Sequence, residues 1–185
     1  MPHTKLPAGI EDKNLEIYRY GKEVNAVYDG KKGSYLDLPM EMREPFQAEY
    51  IADKAAQHCI VNDFGIELAD AQEEKFVGCR YGNWDKTPDL ANGITTHDAP
   101  NCSEEKHCKG FNVLCKIPEA PNGKITKQEY FIIRLVGNGK LDKEIALDLN
   151  IRIPTVRTHL NHIREKLQVN NRIEIALWAQ SKGIV

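Results

Sequence analysis

The sequence predicts a mostly α-helical chain, with a small α+β domain first and a compact domain of four short helices last. Three observations carry this. Apolar residues recur at helical spacing through residues 125–185, with tight turns between the runs. Earlier, LEIYRY, AVYDG and SYLDL are tyrosine-rich and separated by Gly21, Gly30 and Gly33, the mark of a small antiparallel ribbon. The charge is also split: residues 1–124 carry 15 Lys+Arg against 21 Asp+Glu, whereas residues 125–185 carry 10 against 6. A basic module joined to an acidic companion suits nucleic-acid binding.

The first ten residues are polar with two prolines and read as loose. After the ribbon, Met42, Phe46, Tyr50, Ala55 and Cys59 recur at helical spacing and predict one helix over about residues 41–61, ended by Asn62 and Gly65. Residues 66–118 are rich in Asn, Asp, Gly and Pro and sparse in apolar residues, so they read as a stretch with little core of its own. PEAPNG, residues 118–123, is a turn-rich linker. The predicted organisation is an N-terminal domain over 1–118, a linker over 119–124 and a C-terminal domain over 125–185.

In the C-terminal domain, Thr126 and Glu129 form a capping box ahead of a helix with Tyr130, Ile133, Leu135 and Val136 on its apolar face. Gly137 and Gly139 close it. A second helix over 143–149 buries Ile145, Ala146 and Leu149, and Asn150-Ile151 turns the chain. The third, over about 153–167, buries Val156, Leu160, Ile163 and Leu167. The fourth starts near Asn171 and is expected to bury Ile173, Ala176, Leu177 and Trp178. Two helices joined by so short a turn, the second with a polar outer face, make a helix-turn-helix. Arg157, Thr158 and Asn161 lie on that outer face and are the candidate base readers, because Arg matches guanine, Asn matches adenine, and Thr meets either base type or a thymine methyl. Lys140, Lys143, Arg152, Arg164 and Arg172 are candidate phosphate contacts. His159 and His162 have i, i+3 spacing, but no third ligand completes a metal set in the sequence.

The run KEIALDLNI, with TVRTHLNHIREKLQVNNR, resembles the LuxR-type (GerE-type) helix-turn-helix of bacterial transcription regulators. The matching residues include Thr126, Glu129, Glu144-Ile145-Ala146, Thr155-Val156, His159, Lys166-Leu167 and Asn171-Arg172. The resemblance implies a homodimer on two-fold-related double-stranded DNA, base contacts from Arg157, Thr158 and Asn161, and Thr155 near a phosphate. One departure stands out: Arg152 replaces the usual Ser or Thr cap, with Pro154 in the first turn, where proline is tolerated. Phosphate-receiver and lactone-binding partners known in the family have no counterpart in residues 1–124. The alternating strand–helix pattern and acidic pair of the first are absent, as are the length and aromatic pattern of the second.

Cys79, Cys102, Cys108 and Cys115 follow the pattern C-x22-C-x5-C-x6-C, with Cys59 apart in the predicted helix. Four thiolates bind zinc tetrahedrally and would staple a segment poor in apolar surface. An iron–sulfur cluster on the same cysteines is the alternative, giving a redox-sensing regulator. Unliganded or redox-switching thiols are a third reading, and His97 and His107 are alternate ligands.

No apolar run is long enough to span a membrane, and the N-terminus lacks a secretory pattern, so the chain is expected to be cytoplasmic. Enzyme signatures are missing: no Gly-rich phosphate loop, no Gly-x-Ser-x-Gly, and no His-x-Glu with Pro-Cys-x-x-Cys. The chain is therefore expected not to be an enzyme. A protein-interaction adaptor, with a partner for the N-terminal domain and an accessory DNA-binding head, is the remaining class.

Overall fold

A computed structural model describes residues 6–102 and 107–185. The chain divides into two compact units, Met1–Lys116 and Ile117–Val185.

The first unit is α+β. Strands β1 (Leu15–Tyr20), β2 (Glu23–Tyr28) and β3 (Lys31–Ser34) form an antiparallel meander, extended by the two-residue strands β4 (Leu90–Ala91) and β5 (Ile94–Thr95). The order is β3-β2-β1-β4-β5. Gly21 and Gly30 take positive φ at the two hairpin turns, a conformation glycine adopts without strain. Leu15, Ile17, Val24 and Ala26 alternate onto the buried face. SYLDL is not a strand, because Tyr35–Asp37 is a 3-10 turn that drops Tyr35 into the core. Residues 1–5 lie outside the described residues. Residues 6–10 are not loose: Ala8 is buried, the Gly9 carbonyl accepts from Gly30 N at 2.8 Å, and Gly9 N donates to Asp12 Oδ1 at 2.9 Å.

The single helix expected over 41–61 is broken. Helix α1 (Met40–Ala52) stops at Asp53, whose side chain caps α2 (Lys54–His58) by accepting from Ala56 N at 2.9 Å, and a π-turn follows over Cys59–Asp63. The break rotates the apolar face, so Ala56 is buried rather than Ala55.

Residues 66–118 also have more core than their composition suggests. They contain helix α3 (Ala69–Arg80), which sends Phe76 and Val77 into the main cluster, joined by Tyr81 and Leu114. Charged residues flank that narrow apolar stripe and hide it in the sequence. Buried Arg80 holds the unit together. It pairs with Glu49 at 2.7 Å and Asp53 at 2.9 Å, and donates to the carbonyls of Leu114 at 2.8 Å and Val113 at 3.0 Å.

The second unit is four helices: α4 (Lys127–Gly137), α5 (Asp142–Asp148), α6 (Ile153–Leu167) and α7 (Arg172–Ser181). The Thr126–Glu129 capping box is formed. Asn150 takes φ 51° at the turn between α5 and α6, and Ile151 N donates to Ala146 O at 2.9 Å; asparagine tolerates this left-handed conformation. The core comprises Tyr130, Ile132, Ile133, Val136, Ile145, Val156, Ile163, Leu167, Ile175, Ala179 and Ile184.

On α7 the expected inward face is wrong. Ile173 is 70% exposed and Leu177 58% exposed, while Ile175 and Ala179 pack inward. Leu135 and Leu149 are only half-buried, and Phe131 and Ile132 fill that role on α4. Among the described residues, no helix is long and apolar enough to cross a membrane.

Candidate functional site

Helix α6 has two faces. Val156, Ile163 and Leu167 are buried, and Leu160 is half-buried. The opposite face carries Thr155, Arg157, Thr158 and Asn161, all exposed. Pro154 sits in the first turn, and Arg152 stands at the cap without a side-chain cap bond. Gln168 ends the helix in a left-handed turn at φ 55°.

The polar face is organised by neighbours. Arg157 Nε is 3.7 Å from Asp142 Oδ2, with the Arg157 side chain 72% exposed, so it remains able to reach outward. Arg164 donates to Asn161 Oδ1, leaving the amide Nδ2 unoccupied by that contact. Thr158 is exposed, and its Oγ1 donates to the Pro154 carbonyl at 3.1 Å. Lys143 and Arg152 are exposed at the start of α5 and α6. Lys140 lies 3.6 Å from Asp148.

Arg172 differs from the other basic residues. It pairs with Asp142 Oδ1 at 2.9 Å and also donates to the Lys140 carbonyl. Its guanidinium thus ties the start of α7 to the start of α5.

His159 and His162 do have a carboxylate beside them. Ligand atoms of Glu129, His159 and His162 lie within 4.8 Å of one another, a proximity that needs the fold and is invisible in the spacing. Glu129 is already engaged, however. It accepts from Thr126 N at 2.7 Å and from Lys166 Nζ at 2.6 and 2.9 Å. Burial raises its pKa, but Lys166 and the Thr126 bonds outweigh that and hold it below the usual carboxylate range. A carboxylate clamped by an ammonium is a poor partner for a second cation.

The first unit holds a second feature. Cys79, from α3, and Cys102, Cys108 and Cys115 all line one cavity of about 20 Å³. All are free thiols. Among the described residues no three cysteine sulfurs lie within 4.8 Å of one another. Burial pushes the Cys79 thiol up, and the Cys115 thiol to about 11. His97 is held 2.7 Å from Glu49, away from a ligand role, and His107 is exposed and does not line the cavity. Cys59 is buried in the main core and does not line the cavity either.

The second unit therefore has the form of a helix-turn-helix nucleic-acid-binding domain. Residues 124–179 match the family described as "Bacterial regulatory proteins, luxR family", so the chain carries a LuxR-type (GerE) helix-turn-helix domain there. It is 40% identical over 65 residues to the transcriptional regulatory protein LiaR of Bacillus subtilis (strain 168), covering 35% of this chain and 31% of that protein. The transcriptional regulatory protein DesR of the same organism is 44% identical over 59 residues, 32% of this chain and 30% of DesR. The nitrate/nitrite response regulator protein NarL of Escherichia coli (strain K12) is 33% identical over 60 residues, 32% of this chain and 28% of NarL. The chain thus spans under a third of the length of these relatives.

Proposed function

We propose that this chain is a sequence-specific DNA-binding transcription regulator that acts as a homodimer. Helix α6 enters the major groove of double-stranded DNA. Arg157, Thr158 and Asn161 read base edges, while Thr155, Lys143, Arg152 and Arg164 contact phosphates. One observation carries this reading: α6 buries one face and leaves a continuous exposed polar face at Arg157, Thr158 and Asn161, within a LuxR-type domain. The printed names of LiaR and DesR as transcriptional regulators support it. The dimer contact is the fourth helix, α7, through exposed Ile173 and Leu177. Of the apolar residues Ile175, Leu177, Trp178 and Ile184, whose excess in the sequence points to this helix, Ile175 and Ile184 are instead buried in the unit's own core. Arg172 supports this arrangement as a brace between helices.

The N-terminal unit is stapled by a structural zinc ion on Cys79, Cys102, Cys108 and Cys115. Supporting this, Cys79, Cys102, Cys108 and Cys115 line one and the same cavity. Four soft donors match zinc, which would crosslink α3 to Cys102, Cys108 and Cys115 when bound. The sulfurs must draw together to reach ligand distance.

The test of DNA binding is selection of duplexes from a random pool by the full chain, followed by affinity measurement on the enriched sequence. One enriched two-fold motif, lost in Asn161→Ala, is expected. Enrichment of nothing above random DNA overturns the reading. Metal analysis and the absorption spectrum of anaerobically purified protein test the staple. A colourless protein with one zinc per chain supports it; visible bands indicate iron–sulfur instead, and absence of metal removes the staple.

A further inference from the structure

Arg19 leaves β1 and lines the same cavity as the four cysteines. Its Nε is fully buried with no hydrogen-bond partner. Burying an N–H without an acceptor is costly, so this donor calls for an acceptor that the polypeptide does not supply. Asp98 lines the same cavity and feels the Arg19 charge, but no carboxylate lies within ion-pair distance of Arg19 among the described residues. The side chain also has a bed made for it. A Cβ at Gly78 would stand 3.2 Å from Arg19 Cδ, and one at Gly82 would stand 2.9 Å from Cγ and 3.0 Å from Nε. The Arg19 backbone N–H donates to the Gly82 carbonyl at 3.1 Å, which fixes the strand at that place. Two glycines thus leave space for an arginine side chain whose Nε has no protein acceptor.

The chemistry of the cavity supplies the missing acceptor. Four thiolates around a divalent ion leave two negative charges in excess, and buried excess charge needs a nearby cation and hydrogen bonds to sulfur. Lys75 is near Cys79, but its ammonium lies 4.2 Å from the centre of the Phe64 ring and is held there. Arg19 is the cation that lines the cavity itself.

We propose that Arg19 is the outer-sphere cation of the metal site: its Nε–H donates to a cysteine sulfur in the loaded protein, and its charge offsets that of the thiolates. This rests on the zinc reading above. It makes Arg19 a positioning residue for the site, with two effects. It strengthens metal binding, and it lowers the nucleophilicity of the sulfur it bonds.

The test uses the reduced, metal-free full chain and cobalt(II) as the probe. Wild type is expected to develop strong sulfur-to-cobalt charge-transfer absorption and tetrahedral visible bands. Arg19→Met is expected to bind cobalt about 10–100-fold more weakly, the range for loss of an outer-shell partner. Its loaded thiolates should also react several-fold faster with iodoacetamide. Arg19→Lys keeps the charge without the Nε–H, so its affinity should fall between the two while its alkylation rate matches Arg19→Met. Should Arg19→Met fail to fold by circular dichroism, Arg19→Lys carries the comparison alone. Wild type that takes up no cobalt overturns the zinc reading and this inference with it. Wild type with the four-thiolate spectrum, beside variants of unchanged affinity and alkylation rate, leaves the zinc site standing and overturns the role of Arg19.

Discussion

Lys166 Nζ lies 2.6 Å from Glu129 Oε2 and 2.9 Å from Oε1, so one buried carboxylate both closes the capping box of α4 and anchors the last turn of α6. The recognition helix is thereby fixed to the first helix of its unit at the end away from its base-reading residues.

Glu129→Ala should destabilise the C-terminal unit by about 2–4 kcal/mol, since it removes a cap and leaves a part-buried ammonium unpaired. The pH sign follows from a lowered carboxyl pKa. The contribution is present above the unfolded value near 4.5 and is lost as pH falls through the lower folded value. Hydrogen exchange of α4 and α6 amides, measured between pH 7 and pH 3, localises the effect. Unchanged protection in the variant would show that packing alone holds α6.

Arg157→Ala should leave the fold within about 0.5 kcal/mol of wild type, because its 3.7 Å contact with Asp142 is largely solvated. It should cost about 1–3 kcal/mol of specific DNA binding and relax preference at one base. Lys143→Ala should instead weaken all duplexes alike and reduce the salt dependence. Fluorescence anisotropy on the selected site and on random duplex, at several salt concentrations, separates the two. Equal loss on both duplexes in Arg157→Ala would make it a phosphate contact.

The C-terminal unit was legible because its signals are local. Thr126 with Glu129, the Asn150 turn and the spacing of Val156, Ile163 and Leu167 all lie within one or two turns of each other. The orientation of α7 was not, because Ile173, Ile175, Leu177 and Ala179 are all apolar and only packing on α4 chooses between its faces. The N-terminal unit hides more. Arg80 finds Asp53 at 27 and the Leu114 carbonyl at 34 residues' separation, so in the sequence it reads as an ordinary solvated charge. The cysteine spacing suggested a ligand set, but nothing in it placed Arg19 beside those thiols. That neighbour is set by strand β1 crossing Gly78 and Gly82.

Leu177→Glu on α7 should shift the chain toward monomer in sedimentation and weaken binding to a two-fold site, with folding intact. Leu177 is 58% exposed and neighbours the 70% exposed Ile173, an apolar face with no cover within its own unit. Ile175→Glu is the contrast: Ile175 is 1% exposed, so that change should unfold the unit. Unaltered association of Leu177→Glu would place any dimer contact elsewhere.

Arg80→Met should destabilise the N-terminal unit by about 3–5 kcal/mol. It leaves Glu49 and Asp53 without their buried cation and frees two carbonyls just before Cys115. Metal uptake should weaken alongside, because that segment carries one of the four thiols. Denaturant unfolding monitored by exchange in α3 checks it. A loss below 1 kcal/mol would mean that His97 and Lys116, which also reach these carboxylates, suffice.

The N-terminal unit should lose stability as pH rises from about 5 to about 8. Glu16 is 1% exposed, and its Oε1 accepts from Asp85 N at 2.8 Å while Oε2 has no partner. Asp89 is equally buried, accepting from Ile17 N at 2.6 Å through Oδ2, with Oδ1 unpartnered. Burial first, then the neighbouring carboxylates Asp85, Asp98 and Asp12, push Glu16 up to about 8, and burial with Asp98 and Glu16 pushes Asp89 up as well. The folded unit therefore keeps protons that the unfolded chain releases near 4.5. Stability from this source is complete below that value and is lost as pH rises toward about 8. Glu16→Gln keeps the acceptor for Asp85 N and removes the titration. It should be the more stable protein at pH 8, by an amount of order a few kcal/mol, and show a shallower pH slope. Taking the difference between the two proteins at equal metal occupancy cancels the pH dependence of the thiols. Parallel stability curves from pH 5 to pH 8 would show that Glu16 is ionised and solvated in the folded chain.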